Sequence, residues 1–351
     1  MNSAELTNKP IFFKRNRMKR VYKGGYLFHD FLNDEAADSY YPEEWIASTV
    51  YSRIKNEQGQ LEGLSVIENT DITLKELFEK NQEACLGKRK DMGILVKYLD
   101  SAIRLPLQAH PDRQLARELF DSEYGKTECW VIIATRDDAC IYFGFKDKIS
   151  KDEFSDLIEK SLSEKDIMES VVNKVEVKPG DVFLIPGKLV HAIGAGCLLL
   201  EIQEPTDYTI SPEYWCGEQK LNHEQMYLNL TKEDALKCFD FNVYGQDVVE
   251  KQRKKPKGLA RNRDYLSYQL IGEEDTPCFS LYKTIVTNKY ILDKAPAIYT
   301  VISGSGTIIG DGYERNISKG DYFFLPAICK DKFHVNTSEC LELIECLPPR
   351  E

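Results

Sequence analysis

Gln108, His110, Glu128 and His191 are the residues of this 351-residue chain whose types and spacing could jointly hold a metal ion. In extended backbone, residues i and i+2 share a face, so Gln108 and His110 look the same way across Ala109. Glu128 opens a β-rich run from Thr127 to Thr135, and His191 follows the turn at Pro186-Gly187. Two imidazoles, a carboxylate and an amide oxygen suit Zn²⁺ or a similar borderline divalent ion, with room for a water or a substrate oxygen. A purely structural zinc would more often use cysteines, and the ten cysteines here are spread singly with no Cys-x-x-Cys pair. Lys126 shares the phase of Glu128, so its ammonium can stand beside the ion and stabilise negative charge there. Lys97 ends the apolar run Gly93-Ile-Leu-Val96, where a lysine ordinarily snorkels to solvent. Glu201 has the phase opposite to Leu200 and Ile202, and a buried carboxylate is costly unless paired or used.

The elements that must position these groups are mostly strands. Short β-rich runs punctuated by Gly and Pro are expected at 92–98, 102–108, 127–135, 139–145, 172–177, 181–185 and 197–203, which suggests a barrel or sandwich and not alternating βαβ units. Short helices decorate them: Thr73-Leu-Lys-Glu76 and Ser150-Lys-Asp-Glu153 have capping-box spacing, and further helix starts are expected at Asp112 and Thr231. Lys178-Pro-Gly-Asp-Val-Phe-Leu-Ile-Pro186 recurs as Ser318-Lys-Gly-Asp-Tyr-Phe-Phe-Leu-Pro326, so a second copy of the same barrel is expected near the C-terminus. Tyr299 to Ile309 reads there as two strands meeting at a glycine turn. The position five after Pro326 is Asp331 where the first copy has His191, so no metal is expected in the second copy. Packing against the first barrel and shaping one wall of its pocket is the expected role. Two basic runs, Lys14 to Lys23 and Gln252 to Lys257, read as solvated loops, the latter alternatively as a lid over the pocket.

Gly180, five residues, Pro186 and then His191 form the second half of the cupin pattern. Together with Gln108-Ala-His-Pro-Asp112, Gly125-Lys-Thr-Glu-Cys-Trp130, Ile185-Pro-Gly-Lys-Leu-Val-His191 and Leu200-Glu-Ile-Gln-Glu204, the chain resembles the type I mannose-6-phosphate isomerase family. Pro42-Glu-Glu-Trp-Ile-Ala-Ser48 and Lys97-Tyr-Leu-Asp100 extend the resemblance upstream. It implies a mainly β fold of two cupin-type jelly-roll barrels with a small helical insert. The expected division is a catalytic cupin domain over 1–212, a helical or linker insert over 213–270, and a cupin-like barrel without metal over 271–351. It further implies one zinc ion on Gln108, His110, Glu128 and His191, lysines 97 and 126 in the substrate pocket, and Glu201 and Asp207 near the reacting sugar. The implied reaction is aldose-ketose isomerisation of mannose 6-phosphate and fructose 6-phosphate through a cis-enediolate. Candidates for the proton-transfer base are His110, Glu201, Asp207 and a water on the metal.

One departure bears on activity: where the family carries an arginine four residues after Asp207, this chain has Ser211. Loss of a bidentate cation from such a site typically costs about 10²-fold or more in rate. Two alternatives therefore stand beside the isomerase: a diverged isomerase or epimerase on another phosphosugar, and a non-catalytic sugar-binding cupin. A net charge of −11 argues against nucleic acid as a partner. A small phosphorylated substrate needs only a few local cations. Unpaired cysteines, a basic and polar first 20 residues and the lack of any apolar run of 18 residues lead us to expect a cytoplasmic protein with no membrane span.

Overall fold

A computed structural model describes residues 3–53 and 59–350. Its first half is built on a seven-stranded antiparallel sheet in the order β1-β2-β3-β9-β4-β7-β12, comprising Arg17–Met18, Glu43–Ile46, Leu95–Asp100, Cys197–Gln203, Glu128–Thr135, Val182–Ile185 and Arg253–Lys254. A smaller sheet, β6 (Val172–Glu176), β5 (Cys140–Phe145) and β8 (His191–Ile193), faces it. A ribbon of β10 (Trp215–Cys216) and β11 (Gln219–Lys220) precedes the helical segment. The second half repeats the architecture. Its larger sheet runs β13-β14-β15-β22-β17-β20, from Lys257–Arg261, Tyr265–Ile271, Ser280–Val286, Leu341–Leu347, Ala297–Ser303 and Tyr322–Leu325. Its smaller one runs β16-β21-β18-β19, from Lys289–Ile291, His334–Asn336, Ser305–Gly310 and Tyr313–Ser318.

Strand alternation divides the first sheet into two working faces. Leu99, Trp130, Ile132, Phe183, Ile185 and Leu199 point into the first barrel and pack with the 223–249 helical segment. The opposite phase, Val96, Tyr98, Cys129, Val131, Leu184, Leu200 and Ile202, packs on Ile298, Phe324, Ile344 and Cys346 of the second large sheet. Lys97, Glu128 and Glu201 belong to the inward phase. The second barrel therefore packs on the face away from these groups, and the expected wall of the pocket is not its contribution.

The capping boxes close as read: Thr73 and Glu76 cap Leu74–Lys80, and Ser150 and Glu153 cap Lys151–Lys160. Asp112 accepts from Leu115 N at the start of Arg113–Phe120, and Thr231 caps Lys232–Ala235. Three local expectations fail. Residues 102–108 form no strand: Pro106 has no N–H to give a ladder, and the amides of Ala102, Leu105 and Leu107 bond Lys23 O, Ile193 O and the Glu213 carboxylate. Within 102–109, only Gln108 and Ala109 make isolated bridges, to His191 and Ile210. Tyr299–Ile309 supplies the two expected strands meeting at Gly304, where the chain also changes sheets: β17 pairs with β20 and β22, and β18 with β19 and β21. The basic run 252–257 is neither loop nor lid, since Arg253 and Lys254 pair with Phe183 and Val182 and meet Asp181 and Asp275. Within Lys14–Lys23, Met18 and Arg20 are buried.

Two glycines of the quoted motifs exist for close approach. A Cβ on Gly125 would lie 2.6 Å from Pro111 O, and one on Gly187 would lie 2.8 Å from Asp112 Cα. Both press on the segment that carries His110, which is further held by Lys126 N to Pro111 O (3.1 Å) and Lys188 N to His110 O (2.7 Å). Gly125→Ala should lower the unfolding free energy by about 1–3 kcal/mol in urea denaturation. Gly258→Ala, where an added Cβ meets nothing within 4 Å, should change it by less than about 0.5 kcal/mol. Equal effects at the two positions would contradict this account of the packing.

Candidate metal centre and charged pocket

His110, Glu128 and His191 converge from three segments and are buried, with one ligand atom of each within 4.8 Å of the others. Glu128 Oε2 lies 3.3 Å from His110 Nε2, and Glu128 Oε1 lies 3.2 Å from His191 Nε2. Each imidazole is oriented from behind. His110 Nδ1 donates to Tyr208 O at 2.9 Å and His191 Nδ1 to Leu189 O at 2.8 Å. Carbonyls only accept, so both Nδ1 atoms carry the proton and both Nε2 atoms present a lone pair toward Glu128. Trp130 meets the His191 ring edge-on at 5.4 Å between centroids.

That arrangement sets acceptor against acceptor. Glu128 Oε1 and His191 Nε2 are both buried without a hydrogen-bond partner. An unsatisfied buried pair of this kind costs free energy unless a cation joins it, which is the donor chemistry a divalent ion requires. Gln108 is half-buried, and its backbone exchanges both hydrogen bonds with His191, at 2.8 and 2.9 Å. Directly opposed residues of an antiparallel pair face the same side, which puts Gln108 beside His191.

From the triad, a line of alternating charge crosses the inner face of the sheet. Lys126 donates to Glu128 Oε2 and, at 3.0 Å, to His110 Nε2, and it lies 3.7 Å from Glu201. Lys97 stands opposite Glu201 in the strand register, 3.1 Å from its carboxylate and 3.7 Å from Glu43. Arg20 Nε meets Glu43 at 2.8 Å, and its Nη1 lies 3.6 Å from Asp207. Glu43 also accepts from Tyr22 Oη (2.5 Å) and Trp45 Nε1 (2.8 Å). Asp207, half-buried, accepts from Arg53 N at 3.1 Å. Ser211 is buried, its amide donating to Met226 O at 2.8 Å.

The neighbours set each charge. Burial alone would raise the Glu128 carboxyl, but Lys126 and the imidazoles outweigh it and hold it well below the usual carboxylate range. Burial, reinforced by Lys126, pushes His110 down to about 3. Glu201 is raised, by burial and by the charge of Glu128, against the pull of Lys97 and Lys126. For Glu43, burial is overcome by Arg20 and Lys97, and the group is held far below its ordinary value.

The chain is 30% identical to GmuF of Bacillus subtilis (strain 168), named a probable mannose-6-phosphate isomerase, over 240 residues that cover 68% of this chain and 70% of that one. It belongs to the mannose-6-phosphate isomerase family. A crystal structure of the mannose 6-phosphate isomerase from Bacillus subtilis superposes with a TM-score of 0.74 at 24% identity, covering 96% of this chain and 99% of the other. A zinc-bound mannose 6-phosphate isomerase superposes with a TM-score of 0.71 at 12% identity, over 97% and 100%. No family model matches the chain.

The contacts join His110, Glu128, His191, Lys126, Glu201, Lys97 and, through Glu43 and Arg20, Asp207 in one line, with Gln108 paired to His191 by its backbone. Sequence reasoning missed Arg20, Tyr22, Glu43 and Trp45. The available signal was Glu43-Glu44 inside a run that ends Trp45-Ile46, two adjacent acids in a strand whose residues are all buried.

The depressed Glu43 group links to stability. A carboxyl whose folded value lies below its unfolded one contributes stability that is complete above about pH 4.3 and is lost as pH falls toward the folded value. Stability of the unmodified protein should fall on acidification below about pH 4, and Glu43→Gln should start less stable at pH 7 and show a shallower acid limb in thermal unfolding. Parallel limbs in the two proteins would contradict the pairing.

Proposed function

We propose that this protein is a zinc-dependent aldose-ketose isomerase that interconverts mannose 6-phosphate and fructose 6-phosphate. The observation that carries the reading is the buried face-off of Glu128 Oε1 and His191 Nε2, both unpaired, beside His110 Nε2. His110, Glu128 and His191 would hold the ion, with Gln108 supplying an amide oxygen from the paired segment. The zinc-bound relative of the same fold supports the choice of metal. When bound, the ion supplies Lewis acidity toward the sugar oxygens at C1 and C2.

The chain's own residues do the rest. Lys126 brings a fixed positive charge to the place where removal of the C2 proton builds negative charge, and a preorganised cation in a dry site lowers that barrier. His110 is occupied at Nδ1 by Tyr208 O and turns Nε2 to the ligand cluster, which leaves the proton shuttle to a carboxylate. Glu201 is buried beside Lys126 and Lys97, with its carboxyl raised, and suits a group that takes and returns a proton. Asp207 lies at the far end of the charged line, next to Arg20. All ten cysteines are unpaired thiols and nine of them are buried, which supports a reducing, cytoplasmic setting. No helix among the described residues is long and apolar enough to cross a membrane.

A coupled assay of the zinc-loaded protein with mannose 6-phosphate tests the reading. Turnover should be abolished by a chelator and restored by zinc, and Lys126→Ala should lower kcat by about 10²-fold. Ser211→Arg should not be required for turnover. If mannose 6-phosphate were converted only after Ser211→Arg, or not at all, the proposed reaction would be wrong for this chain.

A further inference from the structure

We propose that Arg20 binds the phosphate of the phosphosugar and supplies the cation that the serine at position 211 does not; this inference rests on the isomerase reading above. All three cations of the inner line lie between two carboxylates, but Arg20 alone has a buried donor left over. Its side chain is 7% exposed. Nε is used by Glu43, and Nη1 faces Ser52 Oγ at 3.2 Å and Asp207 at 3.6 Å. Nη2 is buried and has no hydrogen-bond partner.

Glu43 cannot take that spare donor, because Tyr22, Trp45, Arg20 and Lys97 already converge on its two oxygens. The guanidinium lies 5.2 Å from the centroid of the Trp45 ring, and Trp45 is fully buried, so the fork is held rigid. A buried, charged, unsatisfied donor calls for an anionic acceptor, and arginine's planar fork matches phosphate oxygens. Glu43, Lys97, Glu201 and Lys126 lie in turn between Arg20 and the His110–Glu128 cluster, and on this proposal the reacting C1–C2 end of the sugar lies at His110 and Glu128 and its phosphate at Arg20. Asp207 and Glu43 hold the guanidinium and compensate its charge.

Titration calorimetry on the zinc-loaded full-length protein, with mannose 6-phosphate, mannose and inorganic phosphate as separate probes, decides the matter. Arg20→Lys keeps a positive charge against Glu43 but loses the fork, and Arg20→Met loses both. Both variants should weaken mannose 6-phosphate about 10- to 100-fold while leaving mannose unchanged, and should raise KM more than they lower kcat. Wild-type affinity in Arg20→Lys and Arg20→Met would overturn the proposal. Equal loss of mannose and mannose 6-phosphate would also overturn it, by showing that Arg20 only positions Asp207. If substitution prevents folding, the side-chain NMR resonances of Arg20 in the unmodified protein serve: they should shift on phosphate titration, and unchanged resonances at saturation refute the contact. Phosphate binding that depends on Arg20 without turnover of mannose 6-phosphate would leave this inference standing and remove the isomerase; turnover insensitive to both substitutions would do the reverse.

Discussion

Charges buried on the inner face of the first sheet persist only because each has an opposite charge beside it. Desolvating a single ammonium or carboxylate costs several kcal/mol, and the attraction of a close partner is what offsets it. Glu128, Lys126, Glu201, Lys97, Glu43, Arg20 and Asp207 meet this condition in turn, each link at 3.7 Å or less. The constraint reaches far along the chain. Glu43 comes from β2, Lys97 from β3, Glu201 from β9 and Glu128 from β4, neighbours in the sheet that are distant in sequence. The N-terminal segment is therefore part of the site, since without Arg20 and Glu43 the line would end on an under-compensated lysine.

The same sheet serves two purposes because its residues alternate. The inward phase carries Glu43, Lys97, Glu128 and Glu201, and the largely apolar outward phase packs on the second barrel. Register makes the internal repeat more than a shared motif. Trp130 pairs with Phe183 and Glu201, and in the second barrel Tyr299 pairs with Phe323 and Glu345. Glu345 thus occupies the counterpart of Glu201 and is met by Lys294 at 2.7 Å, but Ala297 pairs with Leu325 where Glu128 pairs with Ile185. The counterpart of Lys97 is Tyr282. The second barrel has kept a paired buried acid and has an alanine in place of the carboxylate that could ligate a metal.

What could be read in the sequence was local or strictly periodic. Capping boxes at Thr73 and Ser150 and the strand runs at 127–135, 139–145, 181–185 and 197–203 follow from short-range spacing, whereas the grouping of His110, Glu128 and His191 came from their ligand types and from the motifs of the resemblance. What escaped was set by distant partners. Arg20 reads as one member of an exposed basic run because nothing nearby in sequence announces Glu43 or Asp207. Residues 102–108 read as a strand because apolar content was visible, whereas the Glu213 carboxylate that takes the Leu107 amide was not. Arg253 and Lys254 read as linker because their β-partners, Phe183 and Val182, lie some seventy positions away.

The central claim, that this fold gathers His110, Glu128 and His191 to bind a catalytic divalent ion, is tested most directly by anomalous diffraction from crystals grown with zinc. The account predicts one strong peak among His110 Nε2, the Glu128 carboxylate and His191 Nε2, with the Lys126 ammonium drawn off toward Glu201. No peak there, with zinc absent or bound only at surface residues, would contradict it.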